Sequence, residues 1–353
     1  MLSGRANMMR KLLISTLVLV ILVALGGVAF RELRQRWDAP LLISEEGFVL
    51  TIAQGDSLRS VADTLHSAGV LVHPRLLILY GRWTGMDQTI KRGEYRLLPE
   101  LTAEAMLKRF NDGDVIHYQV TFPEGITLAK ALDILSQQAA LETILAGPSD
   151  PQLMALIKPY SHSEGLFFPD SYRYLRGDTD LSVLQRAHSA LINVLQTEWR
   201  DRASGLPYET PYEALIMASI IERETGLAEE REQISGVFVR RLQQRMLLQT
   251  DPTVIYGMGA EFEGNLRRRH LKDDSNTYNT YRHSGLPPTP IALSGRAAIH
   301  AALHPEEGSA MYFVARGDGG HTFSATLAEH NRAVGKFQLQ RRKNYTSSPQ
   351  GPQ

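Results

Sequence analysis

The longest apolar run in the chain, Leu12 to Phe30, has no charged residue and carries only Ser15 and Thr16 as polar positions. Nineteen residues of this kind are close to what a helix needs to cross a bilayer. Arg10 and Lys11 precede the run and Arg31 follows it. Arg5, Arg10 and Lys11 on one side balance Arg31, Arg34 and Arg36 on the other, so basic flanks alone do not set its orientation. A short leading tail (1–11) before a large remainder predicts a signal-anchor with the bulk translocated. Gly27-Val28-Ala29 leaves a cleaved signal peptide as the alternative. Residues 31–47 read as a charged juxtamembrane linker.

Beyond the linker the pattern breaks into short periods. Phe48-Val-Leu-Thr-Ile52 alternates as a strand does, and Gln54-Gly-Asp-Ser57 is a turn that caps a helix over Leu58 to Ala68. A second helix is predicted near Pro74 to Gly81, a returning strand over Lys91 to Leu98, and a helix over Ala103 to Asn111. Residues 48–117 thus form a small α+β module. Its Gly55-Asp56-Ser57-Leu58 turn, Val61-Ala62 and closing strand resemble a LysM-type glycan-binding module. A larger α+β domain (118–343) opens with a strand at Tyr118–Phe122 and a helix that Thr127 caps. Long helices follow over Leu181–Arg202, Pro211–Thr225 and Glu229–Gln244. Ser163-Glu-Gly-Leu-Phe-Phe-Pro-Asp-Ser-Tyr172 reads as an ordered loop, and the polar tail 344–353 as disordered.

One helix is chemically distinctive. Ala214-Leu-Ile-Met-Ala-Ser-Ile-Ile221 is almost wholly apolar and runs straight into Glu222-Arg-Glu-Thr225. Carboxylates at the end of a buried helix are desolvated, which raises their pKa and suits them to donate a proton near neutral pH. The plainer alternative is a helix end surfacing into water. Residues two apart on a helix point roughly 200° apart, so the two glutamates cannot serve one cleft. Glu222 stacks over Ala218 and Ser219, which leave room for a ligand, and Glu224 over Ile220 and Ile221, which fill theirs. Glu222 is therefore the better acid candidate on helical geometry alone.

Composition narrows the classes. Basic and acidic residues balance at 38 each, which argues against nucleic-acid binding, and there is no cysteine for disulfide, redox or thiolate-metal chemistry. His321 and His330 are not at metal-ligand spacing and no His-Glu-x-x-His occurs, so no metal or cofactor is expected. There is no phosphate-binding loop, dinucleotide fingerprint or Gly-x-Ser-x-Gly elbow.

The distal half carries a dense series of loop motifs. They are Leu248-Gln-Thr-Asp-Pro-Thr-Val-Ile-Tyr-Gly257, Thr277-Tyr-Asn-Thr-Tyr281, Gly285-Leu-Pro-Pro-Thr-Pro-Ile-Ala292, Ala301-Ala-Leu-His-Pro305 and a hairpin, Met311–Ala315 to His321–Ser324. With Glu222 in its Ala-Ser-Ile-Ile-Glu-Arg-Glu setting, these closely resemble the endolytic murein transglycosylases, the MltG or YceG-like family. The resemblance runs from the anchor to about Lys343. It implies a single-pass enzyme of the bacterial inner membrane, N-terminus cytoplasmic and catalytic domain periplasmic, acting on peptidoglycan glycan strands. Such an enzyme cleaves the MurNAc–GlcNAc bond within nascent strands, leaves 1,6-anhydro-MurNAc ends and meets penicillin-binding peptidoglycan synthases. The resemblance makes Glu222 the catalytic acid. Gln249 and Asp251 would hydrogen-bond sugar hydroxyls or N-acetyl groups, or Asp251 would stand in a turn or cap a helix. Tyr278 and Tyr281 offer aromatic faces to pyranose rings, Asn279 an amide, and Glu164 support for the acid or for its own loop. The contrasting possibility is a non-catalytic glycan-binding scaffold of the cell-wall synthesis machinery, with Glu222 structural.

Overall fold

The computed structural model describes residues 2–339, so the tail 344–353 lies outside the described residues. The chain divides into two compact α+β units, Met1–His117 and Tyr118–Gln353. The first unit begins with α1 (Leu2–Asp38), whose segment Leu13–Asp38 is long and apolar enough to cross a membrane. β1 (Phe48–Ile52) pairs antiparallel with β2 (Gly93–Leu97), Phe48 facing Leu97 and Ile52 facing Gly93. α2 (Leu58–Ser67), α3 (Pro74–Thr84) and α4 (Ala103–Asp112) complete the unit. Ser57 accepts from the Ser60 amide while Ser60 answers the Ser57 amide, so the Gly-Asp-Ser turn closes into a capping box. Leu58, Val61, Leu65, Leu77, Tyr95, Met106, Leu107 and Phe110 form the core.

The stretch read as a charged linker is built into this unit. α1 stays helical to Asp38, and Trp37 and Leu41 are buried among the core residues. Trp37 stacks on Tyr80 at 4.5 Å between ring centroids and donates to Glu104 Oε2 at 3.4 Å. The Leu41 amide donates to the Leu101 carbonyl at 2.8 Å and the Leu42 amide to that of Val70 at 3.0 Å. Two large apolar side chains are buried while Arg34, Arg36 and Asp38 stay in solvent, so the segment docks without desolvating its charges. A chain beginning at Leu41 should therefore lose stability against one beginning at Arg31, by an amount near the ~3–5 kcal/mol of a Trp→Ala core deletion. Urea unfolding of the two forms measures it, and equal midpoints would remove Trp37 from the core's energetics.

Among the described residues of the second unit the strands form two-stranded pairs. β3 (Tyr118–Thr121) pairs antiparallel with β5 (Ser171–Tyr174), and β4 (Leu141–Glu142) parallel with β6 (Asp178–Thr179). β7 (Tyr312–Ala315) and β8 (His321–Ser324) make the hairpin read from the sequence. Around them lie α5 (Leu128–Ser136), α6 (Pro151–Leu156), α7 (Asp180–Arg200), α8 (Pro211–Glu224), α9 (Arg231–Gln243), α10 (Asp251–Met258), α11 (Arg296–Leu303) and α12 (Leu327–Val334). Two segments read as loops are helical: Asp251–Met258 is α10, and 301–303 end α11.

α8 is the centre of this unit. Thr210 and Glu213 form a capping box, Pro211 takes the first helical position, and every residue from Ala214 to Ile221 is buried. It packs most extensively on α11, with α7, α9 and α10 also against it. Its one polar core residue is satisfied twice: Ser219 Oγ donates to the Ile216 carbonyl at 2.7 Å and accepts from the Ile291 amide at 2.9 Å.

Candidate active site

Two carboxyl groups, those of Glu222 and Glu224, stand at the end of α8. Glu222 and Glu224 leave the helix on different sides, as their spacing requires. Glu222 Oε2 accepts from the Gly295 amide at 2.9 Å, and Oε1 lies 3.5 Å from Arg231 Nη2. Its side chain is 5% exposed. Burial raises its pKa above the usual carboxylate range, the Gly295 bond lowers it, nearby Glu124 raises it and Arg231 lowers it again. Arg231 also lies 3.9 Å from Glu124, so Glu222 sits in a charge cluster that already supplies its counter-charge.

Glu224 differs. Helical stacking suggested that Ile220 and Ile221 occupy its space. Both isoleucines instead lie wholly inside the core, and Glu224, as the last residue of α8, turns its carboxyl toward the start of α10. There the Thr250 hydroxyl donates to Glu224 Oε1. Burial pushes its pKa up to about 7, with the Thr250 bond pulling against this and the Asp251 charge adding to it. It has no cationic partner among its bonds and ion pairs at the described residues. A carboxyl balanced between its two forms near neutral pH can give a proton and take one back.

The start of α10 is fixed by a lattice of short polar contacts. Gln249 adopts φ +54°, and its amide donates to the Thr280 carbonyl at 3.1 Å. The Thr250 amide donates to Thr280 Oγ1 at 3.1 Å, and the Thr253 and Thr280 hydroxyls meet at 2.9 Å. Arg241 donates to the Leu248 carbonyl at 2.9 Å and to Gln249 Oε1 at 3.5 Å. Tyr281 donates to Asp251 Oδ1 at 2.7 Å, and burial and then the Asp251 charge raise its phenol pKa. Gln249 and Asp251 themselves are exposed. Gln249, Asp251 and Tyr281 are thus brought to the Glu224 side of α8.

Asn279 is placed otherwise. It is fully buried; its Nδ2 donates to the carbonyls of His270 (3.1 Å) and Asp273 (2.8 Å), and its Oδ1 accepts from the Tyr281 amide at 3.1 Å. Both amide N–H groups and the oxygen bond within its own loop and the side chain is fully buried, so it orients Tyr281 and is not free to meet a sugar.

Glu164 and Tyr278 line a cavity of about 920 Å³, together with Tyr256, Thr289, Arg223 and Pro252. Glu164 accepts from the Leu128 amide at 2.9 Å, the Gly165 amide at 3.3 Å and the Tyr256 hydroxyl at 3.3 Å, and burial raises its pKa. The Tyr256 and Tyr278 rings meet edge to face at 4.9 Å, and Tyr278 shares a 2.8 Å hydrogen bond with Thr289. Aromatic walls bearing a few fixed polar groups are what a carbohydrate pocket needs. Arg223, between the two α8 glutamates in the chain, and Pro252, next to Asp251, bring the cavity wall to the end of α8, although neither glutamate is itself among the lining residues. A smaller recess of about 590 Å³, lined by Glu124, Arg231, Glu198, Arg296 and His300, lies on the Glu222 side.

The YceG-like family model matches residues 50–336. The chain belongs to the YceG-like family. This YceG-like chain is 28% identical to an endolytic murein transglycosylase of Bacillus subtilis, over 82% of the chain and 84% of the relative. It is 26% identical to an endolytic murein transglycosylase of Streptococcus pneumoniae; there the match covers 91% of the chain but 64% of the longer relative. A crystal structure of a YceG-like protein from Listeria monocytogenes superposes with a TM-score of 0.52 at 27% identity, covering 82% of this chain and 99% of that one. Sequence reading of this YceG-like chain missed Thr250 and Tyr256, although both stand inside the Leu248–Gly257 motif. Arg231 and Glu124 carry no local signal, because their role comes only from packing against Glu222.

Proposed function

We propose that this YceG-like chain is a peptidoglycan lytic transglycosylase in which Glu224 is the acid. The relatives' names support the substrate and the reaction, and the single observation that supports the residue is Glu224's buried carboxyl, held by the Thr250 hydroxyl with no cationic partner among the described residues, so that burial lifts its pKa to about 7. Glu222, the residue favoured by helical geometry, becomes a positioning residue that joins α8 to Arg231 and to the loop at Gly295.

In this reaction Glu224 gives its proton to the glycosidic oxygen as the bond from that oxygen to C1 of N-acetylmuramic acid breaks. The new carboxylate then takes the proton of the muramoyl C6 hydroxyl as O6 bonds to C1. That closes the 1,6-anhydro ring and returns Glu224 to its acid form, with no water consumed. One carboxyl serves both halves, whereas ordinary glycosidases need a second one as nucleophile or base. Asp251 is held by the Tyr281 hydroxyl, and its charge helps keep Glu224 protonated. Gln249 and Tyr281 contact sugar on the Glu224 side, and Tyr278 and Glu164 shape the cavity.

α1 anchors the enzyme in the inner membrane with its N-terminus cytoplasmic and the chain beyond α1 periplasmic. Cleavage then falls within nascent strands near the membrane, beside the penicillin-binding synthases, and ends their elongation. The first unit, LysM-like in its turn and closing strand, holds the glycan.

Mass analysis of fragments released from purified sacculi tests the reaction. Ends should be 1,6-anhydro-N-acetylmuramic acid, one water lighter than the hydrolysis product. Reducing muramic ends would show that water attacks, and would promote Asp251 to base or nucleophile.

A further inference from the structure

Away from the glutamates of α8, Glu198 of α7 meets His300 of α11 and His304 just beyond it. One donor atom from each lies within 4.8 Å of the others. His300 is in the last turn of α11 and His304 is its C-terminal cap residue, and their rings stack at 4.1 Å between centroids. His300 Nδ1 is 2.9 Å from Glu198 Oε2, while Arg296 donates to the other oxygen at 2.7 Å and so fixes the carboxylate as a one-oxygen donor. The surroundings of His304 point further. Its Nδ1 is 3.1 Å from the His300 carbonyl and its Nε2 2.9 Å from the Asp201 carbonyl. With two carbonyls facing the ring, the neutral imidazole, which has one N–H, leaves one nitrogen lone pair against a carbonyl lone pair, a conflict that either a second proton or a metal cation relieves. A cation at that nitrogen would remove the conflict and could accept the Asp201 oxygen as well.

We propose that Glu198, His300 and His304 form a binding site for a divalent transition-metal ion, Zn²⁺ above all. Two imidazoles and one carboxylate oxygen are the donor set of three-ligand zinc sites. Arg296 plays the part of the outer partner that orients a ligating carboxylate. The ion would tie α7 to α11, and α11 is the main packing partner of α8. It would also sit at the rim of the smaller recess, which Glu198 and His300 line. The proposal concerns a structural clasp and does not depend on the chemistry assigned to Glu224. The signal was present in the sequence as His300-x-x-x-His304, but the third donor is about a hundred residues earlier and only the fold brings it near.

Full-length protein, purified in detergent with any affinity tag removed and stripped with chelator, is dialysed against Zn²⁺ and analysed for bound metal. One Zn²⁺ per chain is expected, with a rise in the melting temperature. His300→Ala and Glu198→Gln should each weaken binding by more than the roughly 10–100-fold that loss of an outer partner costs, and should abolish the rise. His300 is exposed, so its variant keeps the fold even if His304→Ala does not. No retained Zn²⁺, or retention unchanged in His300→Ala, overturns the site. Retained Zn²⁺ without a melting shift overturns the clasp between α7 and α11.

Discussion

Glu224→Gln should lower strand cleavage by about 10²–10⁴-fold, the usual contribution of a positioned general acid, and leave the fold intact. Glutamine keeps the size of the side chain and can still accept from Thr250, but it has no proton to give. Glu222→Gln should cost far less activity. Its carboxylate answers Arg231 and the Gly295 amide, and the amide oxygen of glutamine can keep the second of these. The pH dependence gives a separate reading. With Glu224's pKa at about 7, wild-type kcat should fall above pH 7 as the acid form is lost. The stability sign runs the same way. Because the folded pKa is raised above the unfolded one, the protonated carboxyl's contribution is complete below the unfolded value and is lost as pH rises through about 7. Glu224→Gln removes that loss, so the variant should gain stability relative to wild type in alkaline solution while remaining inactive. Comparable activity losses in both variants, with folding intact, would return Glu222 to the acid's role.

The local elements of this chain are legible because their signals are local. Phe48–Ile52 alternates in polarity and is a strand over those same residues, and Thr127, Thr210 and Ser57 cap the helices that follow them. The Leu248–Gly257 motif reads as a loop, yet it carries Pro252. Proline at the first turn of a helix is favourable, since its missing N–H has no helical partner there, and α10 accordingly begins at Asp251. The site was harder to read. Two glutamates on one helix can be told to diverge from their spacing, but not which of them meets a cation. That depends on Arg231 and Gly295 for Glu222 and on Thr250 for Glu224, and each is placed by tertiary packing. Asn279 shows the same limit: in sequence it is a free amide between tyrosines, and in the fold its donors and acceptor are all taken. Trp37 shows it at the membrane-proximal end, where a tryptophan within a charged run belongs to a core and meets Tyr80 and Glu104, far downstream in the chain.

Gly165→Ala should unfold a large part of the catalytic unit's stability and, with it, the wall that carries Glu164. Gly165 has φ +76°, a conformation costing about 1–3 kcal/mol for a residue with a Cβ. That Cβ would also run into the Pro290 ring, with the Ala292 carbonyl oxygen at 3.2 Å. The loop cannot swing aside to make room. Leu166 and Phe167, next in the chain, are 1% and 0% exposed, and the Gly165 amide itself donates to Glu164. Overpacking of this kind adds about 1–3 kcal/mol, so the total of roughly 2–6 kcal/mol is a large share of the ~5–15 kcal/mol that holds a typical domain together. Gly205→Ala supplies the control. Its φ is +73°, but nothing lies within 4 Å of the added Cβ, so it carries the backbone cost without the collision. The difference between the two urea midpoints isolates the contact with Pro290. Gly165→Ala should unfold well before Gly205→Ala and show weakened activity even where it remains folded, because the Glu164 side of the cavity is displaced. Equal midpoints for the two variants would mean that the Pro-rich 285–292 loop yields to the new methyl, and that Gly165 is there for its backbone angle alone.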